Sequence, residues 1–285
     1  MTTKNIPHAP GMTWQQHLQL GLHTMIGRAY PRLIDATREP AEWFFSDVSL
    51  PLLRVIAFVL VYRILKAPAQ YTGFVILGGA MMAFWSNVLW SMAAQLHWER
   101  QSGNLELYLM APASMLWILA GMALGGMLAT LLRAVVIIVA GSLIFDITYS
   151  IVSLPALILV FVLTLVALYG LGSMLASLYL LYNRQAWAMQ ELLQEPISLI
   201  TGVYFPVRTL GGIVGGAASL IPLTLGLDAM RQLLFPHGWP AFLPVGWEIG
   251  MLLALVVAFL VGAAKAFRFI EHRAKIEGRL SLKWQ

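Results

Sequence analysis

The sequence has no cysteine and few charges. Of its 285 residues 11% are charged, against roughly 25% in ordinary soluble domains. Without cysteine there are no disulfides, thiolate metal sites or cysteine nucleophiles, and the redox compartment is left unread. The histidines, at 8, 17, 23, 97, 237 and 272, form no pair at ligand spacing and no His-Glu-x-x-His, so no metal site is expected. No Gly-x-Ser-x-Gly marks a serine hydrolase. No paired aspartates mark metal-assisted phosphotransfer inside a membrane. The opening residues, MTTKNIPHAPGMTWQQH, lack the apolar core of a secretion signal.

Apolar surface is what the chain has in excess. It is 59% hydrophobic, with a mean hydropathy of +0.77. A soluble fold could not bury that much, so the composition predicts an integral membrane protein. The apolar runs follow one another with short gaps, which predicts one helical bundle rather than two domains. The net charge of +5 and pI near 9.6 then reflect cytoplasmic Lys and Arg, not nucleic-acid binding.

Residues 1–43 read as a cytoplasmic N-terminal segment. Within it Trp14, Leu18, Leu22, Met25, Ala29 and Leu33 recur at steps of three and four, as one helix face requires. Gln15, Gln16, Gln19, His23 and Arg28 fall mostly off that stripe. The pattern predicts an amphipathic helix in the interface plane, kinked or ended by Pro31. A six-span transmembrane domain is expected over 44–267, with spans near 44–65, 72–96, 116–145, 154–182, 186–204 and 245–267. Before the last span, residues 205–238 are apolar but broken by Pro206, two glycine pairs, Pro222 and Pro236. Two short helices entering and leaving the bilayer from one side suit that pattern, and one distorted span is the alternative. Broken backbone at membrane depth must be buried in protein or line a cavity. Residues 268–285 read as a basic cytoplasmic tail.

Lys and Arg set the orientation. With six spans and both ends inside, the cytoplasmic side carries Lys4, Arg28, Arg32, Arg38, Arg100, Arg184 and six basic residues from Lys265 onward. The outer side carries Arg63, Lys66, Arg208 and Arg231, while Arg54 and Arg133 fall within spans. Both termini are therefore expected in the cytoplasm of a multi-pass protein of the cell (inner) membrane.

Between the second and third spans the chain pauses for HWERQSGNLELYLMAPAS, residues 97–114. Gly103 breaks the preceding helix, Asn104 can cap a new one, and Glu106 falls in its first turn, where the helix dipole favours an anion. Leu105, Tyr108 and Leu109 share one apolar face and Pro112 stops the helix. A short amphipathic helix at about 97–113, with a face that needs a groove to fill, predicts docking to another protein.

Glu99-Arg100, Gly103-Asn104-Leu105-Glu106 and Pro112 resemble the Glu-Arg-Glu-x-Gly-Thr-Leu-Glu…Pro signature of type-2 ABC exporter permeases. Gln101 replaces the usual second glutamate and Asn104 the usual threonine; neither removes the turn or the short helix. Ile200-Thr201-Gly202-Val203-Tyr204-Phe205-Pro206 resembles the family's Ile-Ser-Gly-x-x-Phe-Pro. Ile221-Pro222-Leu223-Thr224 and Asp228-Ala229-Met230-Arg231 resemble its Pro-Leu-Thr…Ala-x-Arg.

The resemblance implies an all-α membrane protein with an N-terminal interface helix, six spans and a re-entrant helical pair before the last. It implies an ATP-driven exporter in which two permeases, a second copy of the chain or a similar one, pair with cytoplasmic ABC ATPase subunits. The short helix after span two would be the coupling helix, contacting the ATPase through Glu99, Arg100, Gly103, Asn104, Leu105, Glu106, Tyr108, Leu109 and Pro112. No Gly-x-x-x-x-Gly-Lys-Ser/Thr occurs in the chain. It is therefore expected to hold no cofactor and catalyse nothing itself, with ATP and Mg bound by the partner ATPase.

Membrane lipids are the other expected partners, and an amphipathic or lipid-linked compound (a lipid, a drug-like molecule or a glycan) the expected cargo. Alternatives are an ion-coupled secondary transporter, which would need buried carboxylates in the spans, and a membrane enzyme of lipid metabolism. Arg133 lies well inside span three, where lipid exposure is costly. Arg54 can pair with Asp47 or reach an interface. Trp85, Asn87, Trp90, Arg133, Tyr204 and Phe205 are candidates for a substrate route, with ordinary packing as the competing reading. Gln190, Glu191, Gln194 and Glu195 form a possible inner gate or a solvated helix start. Gly121 and Gly125 make a small-xxx-small face, internal or at a dimer seam.

Overall fold

The computed structural model describes residues 13–38, 45, 48–68, 70–93, 99, 102–111, 115–182, 194, 196–235 and 241–277. At 32, 35–38, 90, 91, 105, 106, 109, 115, 178–182 and 270–277 it describes the backbone alone. Among the described residues the elements are helical and there is no strand. In chain order they are α1 (Trp14–Arg38), α2 (Leu50–Ile64), α3 (Gln70–Ser86), α4 (Asn104–Met110), α5 (Met115–Phe145), α6 (Leu154–Tyr182), α7 (Gly211–Ala218), α8 (Pro222–Leu234) and α9 (Val245–Glu277). α3 runs on as a π-helical segment, Asn87–Ala93, and α7 follows a 3-10 turn, Val207–Leu210.

Among the described residues four stretches are long and apolar enough to cross a membrane: Gln70–Leu89, Leu116–Phe145, Leu154–Ser177 and Val245–Phe269. They correspond to expected spans two, three, four and six. The expected first span contains α2 and the π-helical residues 48–49 that lead into it, while 44, 46 and 47 lie outside the described residues. Of the expected fifth span, 186–193 and 195 lie outside the described residues; 194 and 196–200 are helical and 201–204 form a turn. Residues 205–235 fold as the 3-10 turn and two short helices, α7 and α8, separated at 219–221.

α3 is the centre of the bundle. Of its most apolar stretch 94% is buried, against 11% for α9. A helix apolar on every side has no polar face to give to solvent, so it takes the middle. α2, α5 and α8 pack against it, α6 and α9 pack together, and α8 bridges α6 and α9. Phe74 of α3 meets Phe235 edge-on, with ring centroids 4.7 Å apart. The outer helices expose apolar side chains instead: Leu132 and Leu143 on α5, Ile158 and Val162 on α6, Val257 on α9. Such a coat suits lipid tails, and the helices satisfy their own backbone groups, as membrane depth requires.

α1 lies along α5. A Cβ on Gly121 would fall 2.5 Å from the Met25 carbonyl oxygen and 2.8 Å from Arg28 Cβ, so the two helices touch backbone to backbone there. Gly121 thus serves an internal contact rather than a dimer seam. α1 continues through Pro31 to Arg38. On its predicted stripe Ala29 is buried, while Trp14 is 76% exposed.

Candidate functional site

The short helix after α3 is held by one carboxylate. Glu99 is buried and accepts three side-chain hydrogen bonds: Arg28 Nη2 on Oε1 at 2.9 Å, Asn104 Nδ2 on Oε2 at 2.9 Å and Tyr108 OH on Oε2 at 2.8 Å. The Arg28 guanidinium also sits 4.8 Å above the Tyr108 ring. Arg28 comes from α1 and Asn104 and Tyr108 from α4, so Glu99 ties the N-terminal helix to the short one. Tyr108 packs beside the buried cluster of Ile118, Leu119, Met122, Ala176 and Phe267. Burial, and then the bond to Glu99, push the Tyr108 phenol up to about 12.

Two details differ from the sequence reading. Gly103, at φ 74°, is itself the N-cap, because a left-handed turn there reverses the chain at no Cβ cost. Asn104 becomes the first helical residue, and its amide is used on Glu99 instead of the helix end. Tyr108 turns inward, so the outward apolar side chains of α4 are Leu107, 60% exposed, and Met110, 74% exposed. Arg100 and Pro112, and the side chains of Leu105, Glu106 and Leu109, lie outside the described residues.

A second feature sits at membrane depth. A cavity of about 210 Å³ is lined by Arg54 of α2, Gly79, Met82 and Ser86 of α3, Arg133 of α5, and Tyr204, among others. Arg133 lies 12 residues before the end of α5, about 18 Å along the helix at 1.5 Å per residue. Tyr204 is fixed by stacking on Phe58, centroids 3.8 Å apart, and by the Tyr62 hydroxyl donating to its carbonyl at 2.8 Å. Gln194 donates to Ser86 Oγ at 2.9 Å. The cavity therefore brings together two candidates for the substrate route, Arg133 and Tyr204, and one candidate for the inner gate touches its wall.

The others are placed elsewhere. Trp85 is buried in the core of α3. Asn87 accepts a hydrogen bond from the Tyr169 hydroxyl at 2.9 Å. Phe205 packs on the core. The Trp90 side chain, Gln190, Glu191 and Glu195 lie outside the described residues, as does Asp47.

The third feature was missed by the sequence reading. Arg231, counted there as an outer basic residue, is buried. It donates to the carbonyls of Gly202 at 2.5 Å, Val203 at 2.7 Å and Phe74 at 2.9 Å. It thereby ties α8 to the 201–205 segment and to α3. Gly78 makes room for this: a Cβ there would lie 2.0 Å from the Val203 oxygen. One turn earlier Asp228 accepts from the Phe242 backbone N–H at 2.9 Å. Gln232 Nε2 reaches Asp228 at 3.2 Å, Glu248 at 3.0 Å and the Leu243 carbonyl at 2.8 Å. Asp228 and Glu248 are both buried, so two acidic side chains fasten α8 to the start of α9.

Membrane-length apolar helices around a buried central one, with short helices between them, define a multi-pass membrane protein. The sequence matches that of ABC-2 type transporters over residues 32–235, more than two thirds of its length. The chain belongs to that family and is an ABC transporter permease, the membrane-spanning transport component. No curated protein matches it.

Proposed function

We propose that the chain is the permease subunit of an ATP-driven exporter, paired with a second copy or a similar permease and driven by separate cytoplasmic ATPase subunits. It moves an amphipathic or lipid-linked substrate out of the cytoplasm by alternating access. α4 is the coupling helix, both termini are cytoplasmic, and the membrane is the cell (inner) membrane. α7 and α8 form the re-entrant pair on the outer side.

The observation that carries this reading is the Glu99 cluster. A seven-residue helix has little stability of its own, yet two bonds hold α4 to Glu99 and a third holds Glu99 to Arg28 of α1, while Leu107 and Met110 point away from the protein. A rigid mount with an apolar outer face suits a part that must receive and transmit a push. The chain has no phosphate loop, which supports a reading in which the partner binds ATP and Mg.

Pull-down of the tagged full chain from its own cells, followed by ATP hydrolysis on the captured material, tests the reading. Wild type should bring down an ATPase. Leu107→Asp with Met110→Asp should lose it while the permease still reaches the membrane. An ATPase retained undiminished by the double variant would overturn the role given to α4. No ATPase with wild type would overturn the exporter reading itself.

A further inference from the structure

Glu248, where α8 meets the start of α9, is buried with too few hydrogen-bond donors for an ionised carboxylate. It is 0% exposed, and its neighbour Asp228 is 2% exposed. Glu248 Oε2 accepts from Gln232 Nε2 at 3.0 Å. That amide has two hydrogens, and it also faces Asp228 Oδ2 at 3.2 Å and the Leu243 carbonyl at 2.8 Å. Glu248 therefore draws on a share of one amide. Its other oxygen, Oε1, is buried with no hydrogen-bond partner. A carboxyl group in that position can supply a donor of its own by taking up a proton.

Charge points the same way. A buried carboxylate stays ionised when a cation or several donors hold it. Among the described residues no cation acts on Glu248, and the charge that does is the like charge of Asp228. One amide nitrogen touches both acids, so they are near neighbours. On α8, Arg231 donates to the carbonyls of Gly202, Val203 and Phe74. α3 and α6 carry no Asp, Glu, Lys, Arg or His. The charged residue of α5, Arg133, lines the cavity beside Arg54. The next charged residue of α9 is Lys265, about 25 Å along the helix at 1.5 Å per residue. His237, between α8 and α9 in sequence, lies outside the described residues. Glu248 sits in the first turn of α9, where the helix dipole favours an anion. That partial charge is small beside the cost of burying a carboxylate next to another.

We propose that Glu248 binds a proton in the folded protein and holds it against Asp228, so that the α8–α9 junction is a proton-binding site. The Oε1–H donates to the Asp228 carboxylate, and Oε2 still accepts from Gln232. With the proton in place the junction is closed. When the proton leaves, two buried carboxylates repel and the junction loosens.

Infrared difference spectroscopy reads the proton directly, on the full chain in dodecyl maltoside, a detergent with no carbonyl. Wild type minus Glu248→Gln at pH 7 should show the carbonyl stretch of a protonated carboxyl. In Asp228→Asn the band should disappear at a pH at least about one unit lower than in wild type, a tenfold change in proton affinity, because the like charge is gone. His237→Gln should leave the band in place. Stability gives a second readout. The unfolded chain releases the proton that the folded protein keeps, so the wild-type folding equilibrium should fall by up to about tenfold per pH unit as pH rises. Glu248→Gln keeps a donor and an acceptor at this position, so it should fold and lose that part of the pH dependence. No protonated-carboxyl band at pH 7 would overturn the proposal, as would equal pH slopes for wild type and Glu248→Gln. A band unmoved by Asp228→Asn, or removed by His237→Gln, would overturn the pairing with Asp228.

Discussion

Glu99→Gln is the sharpest perturbation of the α1–α4 attachment. The substitution keeps shape and volume but removes the charge, and it turns one acceptor atom into a donor. The native carboxylate takes Arg28 on one oxygen and both Asn104 and Tyr108 on the other. A glutamine must give up at least one of these sets. Hydrogen bonds to charged groups contribute about 1.5–3 kcal/mol each, and breaking a fully buried ion pair costs about 3–5 kcal/mol. The Arg28 side chain is 30% exposed, so water takes over part of the lost interaction. The net cost should fall at about 2–3 kcal/mol, which is roughly a 30- to 150-fold rise in the open population of α4. Hydrogen exchange by mass spectrometry reads this directly. Amides at 108–110 should exchange faster by about that factor, while those of α3 stay protected. A double-mutant cycle with Arg28→Gln should return a coupling of at least about 1 kcal/mol. Wild-type exchange at 108–110 in Glu99→Gln, with no coupling to Arg28, would refute the attachment.

The Tyr108 phenol, ordinarily near 10, is raised to about 12 in the folded protein. Because the folded value is the higher one, stability from this group is constant below pH 10 and declines from there through about pH 12. Ultraviolet difference titration of wild type against Tyr108→Phe should isolate a phenol that ionises late, and Glu99→Gln should bring it part of the way back toward 10. Arg231→Lys leaves an ammonium that cannot hold three carbonyls at once, and should lower stability by about 2–4 kcal/mol, read as a lower midpoint of thermal unfolding in detergent. Gly78→Ala places a methyl against the Val203 oxygen and Arg231 Nη2, so it should act at the same site, and combined with Arg231→Lys it should cost less than the sum of the two.

Long apolar runs and their order were readable because membrane crossing is a property of local composition, and α5, α6 and α9 follow it nearly residue for residue. The broken character of 205–235 was readable from proline and glycine for the same reason. Charge placement was harder. Arg231 resembles any loop arginine in sequence, and only the fold brings the carbonyls of Gly202, Val203 and Phe74 to it. Arg28 fell off the α1 stripe and was counted only as a cytoplasmic basic residue, since its partner Glu99 lies 71 positions away. Glycine chemistry at 103 gave the turn but not the consequence that Asn104 would be released to bond Glu99. Arg54 and Arg133 were each noticed alone. Their sharing of one cavity depends on how α2 and α5 meet α3, which no spacing rule encodes.

What touches Leu107 decides the role of the chain. A photo-crosslinking residue placed at 107 in the full chain, with a second version at the 79%-exposed Leu143 near the far end of α5 as control, captures the neighbour of each position in intact cells. If α4 is the coupling helix, the adduct from 107 contains a phosphate-loop ATPase and the adduct from 143 does not. Adducts from 107 that contain only lipid, or an ATPase captured equally from both positions, would contradict it.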